Sequence, residues 1–80
     1  MARFFLHLRD HIDEVLDPDG VELVDMAAVR TTVLANARDV MSGSLTCDGL
    51  IDFRYRIDAE NTAGEIAYSL AFRDAVQIVG

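Results

Sequence analysis

Apolar residues fill both alternation sets of residues 3–9, Arg-Phe-Phe-Leu-His-Leu-Arg, which predicts a strand central in its sheet. Asp10-His11 follows as a tight turn, since Asp and His are among the few non-glycine residues that tolerate positive φ. Residues 12–16 then return as the hairpin partner. Asp17-Pro18-Asp19-Gly20 has strong turn chemistry, with Asp first, Pro second and Gly fourth. Residues 21–23 form a short extended piece. From Asp25, a good N-cap, the period changes to that of a helix. Met26, Val29, Val33, Ala37, Val40 and Met41 form its stripe, widened by Ala27 and Leu34, and Arg30, Thr31, Arg38 and Asp39 lie opposite. Ser42-Gly43 is expected to stop this helix after about 16 residues, roughly 24 Å.

Residues 43–49 read as a loop. Over 50–58 the alternation is clean: Ile51, Phe53, Tyr55 and Ile57 against Asp52, Arg54, Arg56 and Asp58. Residues 59–64 turn, and 65–72 alternate again, with Ile66, Tyr68, Leu70 and Phe72 against Ala67, Ser69 and Ala71. The tail, 73–80, docks on the core as a helical turn or a last extended piece. The order strand, strand, helix, strand, strand predicts an α+β fold: one four-stranded antiparallel sheet of two hairpins, with one long helix across one face. Residues 1–80 form a single domain, without internal repeat or linker.

Composition narrows the function classes. Half the chain is hydrophobic, against a disordered protein. No apolar run approaches a membrane span, and the stretch 4–6 is too short for an export core. The expected location is cytoplasmic, without membrane association. Cys47 is the single cysteine, which excludes an internal disulfide or a thiolate zinc cluster. The net charge is −7, the basic residues are all Arg, and residues 10–25 carry seven acids without one Arg. Such a balance repels duplex nucleic acid.

The segments Arg-Phe-Phe-Leu-His-Leu-Arg-Asp (3–10), Asp-Pro-Asp-Gly-Val-Glu-Leu-Val-Asp (17–25) and Met-Ala-Ala-Val-Arg (26–30) resemble a family of short bacterial domains common in alphaproteobacteria, domain of unknown function family 6894. The shared pattern is an aromatic first strand, an acidic turn into Gly-Val-Glu-Leu, and an Asp-capped helix rich in Ala and Arg. His11 stands where the family often has Gly. The resemblance covers residues 3–38 and implies a fold and a bacterial origin, with no activity attached.

Candidate chemistry is thin. His7 and His11 lie about 13 Å apart along a strand and its turn, too far to share one ion. Asp17-x-Asp19-Gly20 has the outline of a calcium loop, but the positions for its first and last ligands hold Val15 and Met26. Cys47 has neither a nucleophile elbow nor an orienting partner. No catalytic, cofactor or metal residue is therefore expected, and the chain is read as non-enzymatic.

The sheet face away from the helix is more informative. If Phe4, Leu6 and Leu8 face the helix, then Arg3, Phe5, His7 and Arg9 face away. The same alternation places Asp52, Arg54, Arg56, Asp58, Ala67, Ser69, Ala71 and Arg73 beside them. Arg3, Phe5, His7, Arg9, Arg54, Arg56 and Arg73 are the candidate interaction face. The alternative is a solvated face of Arg–Asp cross-strand pairs. The reading is a small protein-interaction or regulatory accessory module, partnered by its own second copy through Phe5 or by another protein. Two other classes stand beside it: binding of single-stranded nucleic acid or another anionic ligand on the Arg face, and an antitoxin-like inhibitor. The last shares its opening order of elements with HicB-type antitoxins.

Overall fold

The computed structural model of the chain describes residues 1–79. Strand β1 (Ala2–Arg9) is followed by β2 (Glu14–Val15), β3 (Val21–Leu23), helix α1 (Met26–Asp48), β4 (Arg56–Glu60) and β5 (Ile66–Ala71). A single 3-10 turn, Phe72–Asp74, closes the fold. All strand pairs are antiparallel, and the path across the sheet is β2-β1-β4-β5, with β3 also paired to β1. The fold is α+β, and β1 is an inner strand, as its doubly apolar pattern requires. No described helix is long and apolar enough to cross a membrane.

The core lies between α1 and one sheet face. Phe4, Ile57 and Ala59 from the strands meet Val29, Val33, Ala37 and Met41 from the helix, and Phe72 and Ala75 close the end. The helical stripe matches the sequence pattern, and Ala37 and Ala59 are fully buried between helix and sheet. The Asp25 carboxylate accepts from the Ala28 N–H at 2.8 Å and caps the first turn. Arg38, on the far side, reaches around to donate its Nε–H to the Ala75 carbonyl at 2.9 Å and ties the tail to the helix.

Several boundaries differ from expectation. The helix does not stop at Ser42-Gly43 but runs to Asp48, which makes it about 34 Å long. A glycine in an exposed helix interior costs only about 1 kcal/mol, and Ser44, Leu45 and Thr46 offer no breaker. Gly49 ends the helix instead, at φ 70°, with its N–H donating to the Leu45 carbonyl. Residues 50–55 are not strand. Ile51, Phe53 and Tyr55 pack on the core, while Asp52 closes an Asx turn on the Arg54 N–H. Ala59 and Glu60, expected in a turn, are the end of β4. The true turn is held by Asn61, whose Oδ1 accepts from the Ala63 and Glu65 N–H groups.

The first hairpin also departs from its predicted form. No described non-glycine residue has positive φ, so Asp10-His11 is not a tight turn. A four-residue loop, 10–13, replaces it. Its Asp10 N–H donates to the Asp13 carbonyl, and the Asp10 carboxylate accepts from the Ile12 and Asp13 N–H groups. A short polar side chain thus closes the loop without αL backbone. Ile12 is left exposed rather than paired.

Candidate interaction surfaces

The open sheet face is ordered in three cross-strand rows, fixed by the register of β1, β4 and β5. Arg9 stands opposite Arg56, and Arg56 opposite Ala71; His7, Asp58 and Ser69 form the second row; Phe5, Glu60 and Ile66 form the third. The candidate residues Arg3, Phe5, His7, Arg9 and Arg56 come from β1 and β4 as predicted. Arg54 does not join them, because it lies in the Asx turn before β4 and grips Asp52. Arg73 sits in the 3-10 turn past β5. Nor do Ala67 and Ala71 flank Phe5, since β4 separates β5 from β1 and the Phe5 row ends at Ile66.

Asp58 is the centre of this face and is only 1 % exposed. Its carboxylate accepts from Ser69 Oγ at 2.6 Å, from Arg9 Nη1 at 3.0 Å and from Arg56 Nε at 3.1 Å. Burial pushes the Asp58 carboxyl up, but these three donors outweigh burial and hold it below the usual carboxylate range. Arg9 also donates to Glu60 at 2.6 Å and Glu14 at 3.0 Å. Bonds to Glu60, Asp58 and Glu14 raise its pKa further above an already high value. One guanidinium thus binds three strands together, a geometry its planar fork of donors suits.

His7 is buried in the same layer, its ring stacked on Phe5 with centroids 6.3 Å apart. Its Nδ1 accepts from the Asp17 N–H at 3.1 Å, and its Nε2 faces Glu60 at 3.6 Å. Asp17 does more than turn the chain. Between the Leu8–Val15 and Phe4–Val21 pairs, β1 advances four residues while its neighbour advances six. The excess bulges out between β2 and β3, and the Asp17 carboxylate fills the gap by accepting from the Leu6 N–H. It also accepts from the Asp19 and Gly20 N–H groups. Burial raises the Asp17 carboxyl, and the Gly20, Leu6 and Asp19 N–H groups bring it to a net position below its ordinary value. Gly20 is required here: its φ is +73°, and a Cβ would lie 2.9 Å from the Phe4 carbonyl oxygen and 3.0 Å from Phe5 Cε1. Phe5 is therefore packed under the turn and beside His7, not left over for a partner.

Of the candidate arginines, on the open face or beside it, all but Arg73 are held by acids. Arg3 bonds the Asp19 carbonyl and pairs with Glu22, Arg9 and Arg56 converge on Asp58, and Arg54 pairs with Asp52. The Arg54 guanidinium, by hydrogen bond and charge, lowers the Asp52 carboxyl to about 2. An incoming anion would have to displace a carboxylate from each of them. Among the described residues no buried side-chain polar atom lacks a hydrogen-bond partner. Glu60, Glu14 and Asp17 are the network members that sequence reasoning missed. Extending the Arg56-x-Asp58 alternation two residues reaches Glu60; the Asp-Pro-Asp-Gly pattern signals the turn bonds of Asp17, but nothing in it signals the bond to Leu6.

The β5 edge has a different character. The Phe72 N–H donates to the Tyr55 carbonyl. Antiparallel alternation then turns the peptide groups of Leu70 and Tyr68 toward β4, and those of Ala71 and Ser69 outward. Among the described residues no other strand pairs with this side. The six residues Ile66–Ala71 contain neither charge nor proline.

A family model, domain of unknown function (DUF6894), matches residues 3–73. That span reaches past the helix to the end of β5, and so includes Asp58, Glu60 and Ser69. No curated protein and no solved structure matches the chain.

Proposed function

The chain belongs to the DUF6894 family, and on that premise we propose that it is a non-enzymatic protein-interaction or regulatory accessory module of the bacterial cytoplasm that docks through the outer edge of β5. The observation that carries this reading is the unprotected edge itself. Open strand edges pair readily with other chains, and proteins ordinarily blunt them with charge, proline, short strands or a covering element. Apart from a bulge beside Ala67, β5 has none of these among the described residues, and its outward Ser69 N–H and C=O and Ala71 N–H suit β-augmentation. The ionisable groups of the open face favour a structural role, because they satisfy one another across three strands. Their pairing also favours a protein partner over an anionic one. A single exposed cysteine suits a reducing compartment.

The test is capture of cross-linked, tagged chain from its host, comparing the unaltered protein with Ala71→Pro. Proline removes the outward N–H and leaves the inner hydrogen bonds in place. Loss of cross-linked species from a folded Ala71→Pro protein supports the reading. An identical set of cross-linked species from both proteins overturns it.

A further inference from the structure

We propose that the occupant of the β5 edge is a second copy of this chain, paired β5 to β5 across a two-fold axis at Ser69. This rests on the reading of β5 as a docking strand and adds the partner's identity. A two-fold contact must be self-complementary, and an antiparallel pair centred on Ser69 meets that condition at each level. The outward peptide groups of the two Ser69 residues exchange hydrogen bonds, and the Ala71 N–H meets the partner strand near its Ala67, while the Ala71 carbonyl caps the 3-10 turn. On the helix side Tyr68 of one copy stands opposite Leu70 of the other, an aromatic–aliphatic cross-strand pair. Both side chains pack only partly against their own core and have room for more cover.

Charge provides the register. Glu65 precedes β5 and Arg73 follows it, and both are exposed. Antiparallel pairing about Ser69 sets the Glu65 end of each β5 beside the Arg73 end of the other, across the Ala67 bulge and the 3-10 turn, so the uncharged strand is bracketed by opposite charges. Both groups are available for this. Among the described residues Arg73 has no ion pair, and the Glu65 carboxylate accepts only a 3.3 Å bond from Asn61 Nδ2. A slip of two residues along the strand would separate the charges. The exposed apolar residues Ile12, Val15 and Leu16 at the other edge do not offer this complementarity. They sit among Asp10, Asp13, Glu14, Asp17 and Asp19, and two copies meeting there would repel.

Sedimentation equilibrium of the purified full chain across a concentration series tests the proposal. The chain is expected to pass from monomer to dimer mass as concentration rises, and Ala71→Pro to remain monomeric. Glu65→Arg and Arg73→Glu, each alone, should weaken the dimer roughly tenfold, because two attractive pairs become two repulsive ones. Mixed in equal amounts, the two variants should associate at least as well as the unaltered chain, since each then meets its opposite charge. Circular dichroism establishes that each variant is folded. A chain that stays monomeric at the highest concentrations overturns self-pairing, and so does a mixture that associates no better than its components. If the chain is monomeric yet cross-links in its host to another protein in an Ala71-dependent way, self-pairing fails and the docking edge stands. A dimer indifferent to Ala71→Pro removes both.

Discussion

Along the outer edge of β1 the chain lays down two short strands, Glu14–Val15 and Val21–Leu23, and fills the gap between them with the Asp17 carboxylate. Along the outer edge of β5 no described strand is laid down. The first edge is short, interrupted, strongly acidic and tied inward by Arg3 and Arg9. The second is uncharged and six residues long. Both belong to one sheet, so propensity for strand does not separate them; what separates them is protection from a further strand. The difference teaches that one end of this small fold is closed by its own loop, and that the other end leaves strand peptide groups unpaired among the described residues.

The largest effect on this contrast comes from the residue that joins the two edges. Asp58 bonds β1 through Arg9 and β5 through Ser69. Asp58→Ala leaves Arg9 partly compensated by Glu60 and Glu14 and lets Arg56 reach solvent, but leaves Ser69 without its acceptor. The expected loss is about 2–4 kcal/mol of stability, measured by urea denaturation. An eighty-residue domain has little margin for that, so the variant should be partly unfolded on mild heating. A loss below about 1 kcal/mol would show that the two edges are held independently.

Next in size is the opening of the protected edge. Asp17→Ala removes the acceptor for the Leu6, Asp19 and Gly20 N–H groups and should cost about 1–2 kcal/mol. Amide exchange at Leu6 should accelerate while exchange at Leu70, on the far side of the sheet, follows only the global change. Equal acceleration at both amides would mean that Asp17 supports the whole sheet rather than one edge.

Acid should reproduce both losses in milder form. The carboxyls of Asp17 and Asp58 lie below their ordinary values in the folded chain. A depressed folded pKa contributes stability that is fully present above the unfolded value, about 3.9, and lost as pH falls through the folded one. The melting temperature should therefore decline as the pH is taken from about 5 downward. The decline should be shallower in Asp17→Ala and Asp58→Ala, which have already lost their share. An unchanged acid slope in both variants would assign the effect to other carboxylates.

These contrasts were only partly legible in the residue pattern. The α+β class, the inner position of β1, the Asp25 cap and the helical stripe follow from local rules, because burial on one side imposes period on apolar residues. The boundaries do not. Ile51, Phe53 and Tyr55 alternate like a strand while belonging to a loop that covers the core, since burial alone produces that pattern without a partner strand. Gly43 does not stop the helix, because an exposed glycine is tolerable mid-helix and Gly49 takes the left-handed geometry that ends it. On the open face, β1 and β4 residues fell where alternation put them, whereas Arg54 and Arg73 depended on strand ends that tertiary packing set. The bulge that gives Asp17 its role comes from a register shift between two pairs of strands, and no local period encodes it.

The smallest expected effect is the most discriminating. Ala71 has φ −73° and ψ 143°, within the range proline adopts, and its N–H is directed away from β4. Leu70 before it is extended, as a residue preceding proline should be. Ala71→Pro should therefore leave the stability of the dilute, monomeric chain within about 0.5 kcal/mol, or raise it slightly by restricting the unfolded chain. Proline at the protected edge of the sheet has no such exemption at Leu6, whose N–H is held by Asp17. Urea denaturation at low concentration measures the change, and exchange at Leu70 and Tyr68 reports whether β5 stays paired to β4. A loss of more than about 2 kcal/mol would mean that the Ala71 N–H is used within the fold. The outward phase of β5 would then be wrong, and the contrast between its two edges would vanish with it.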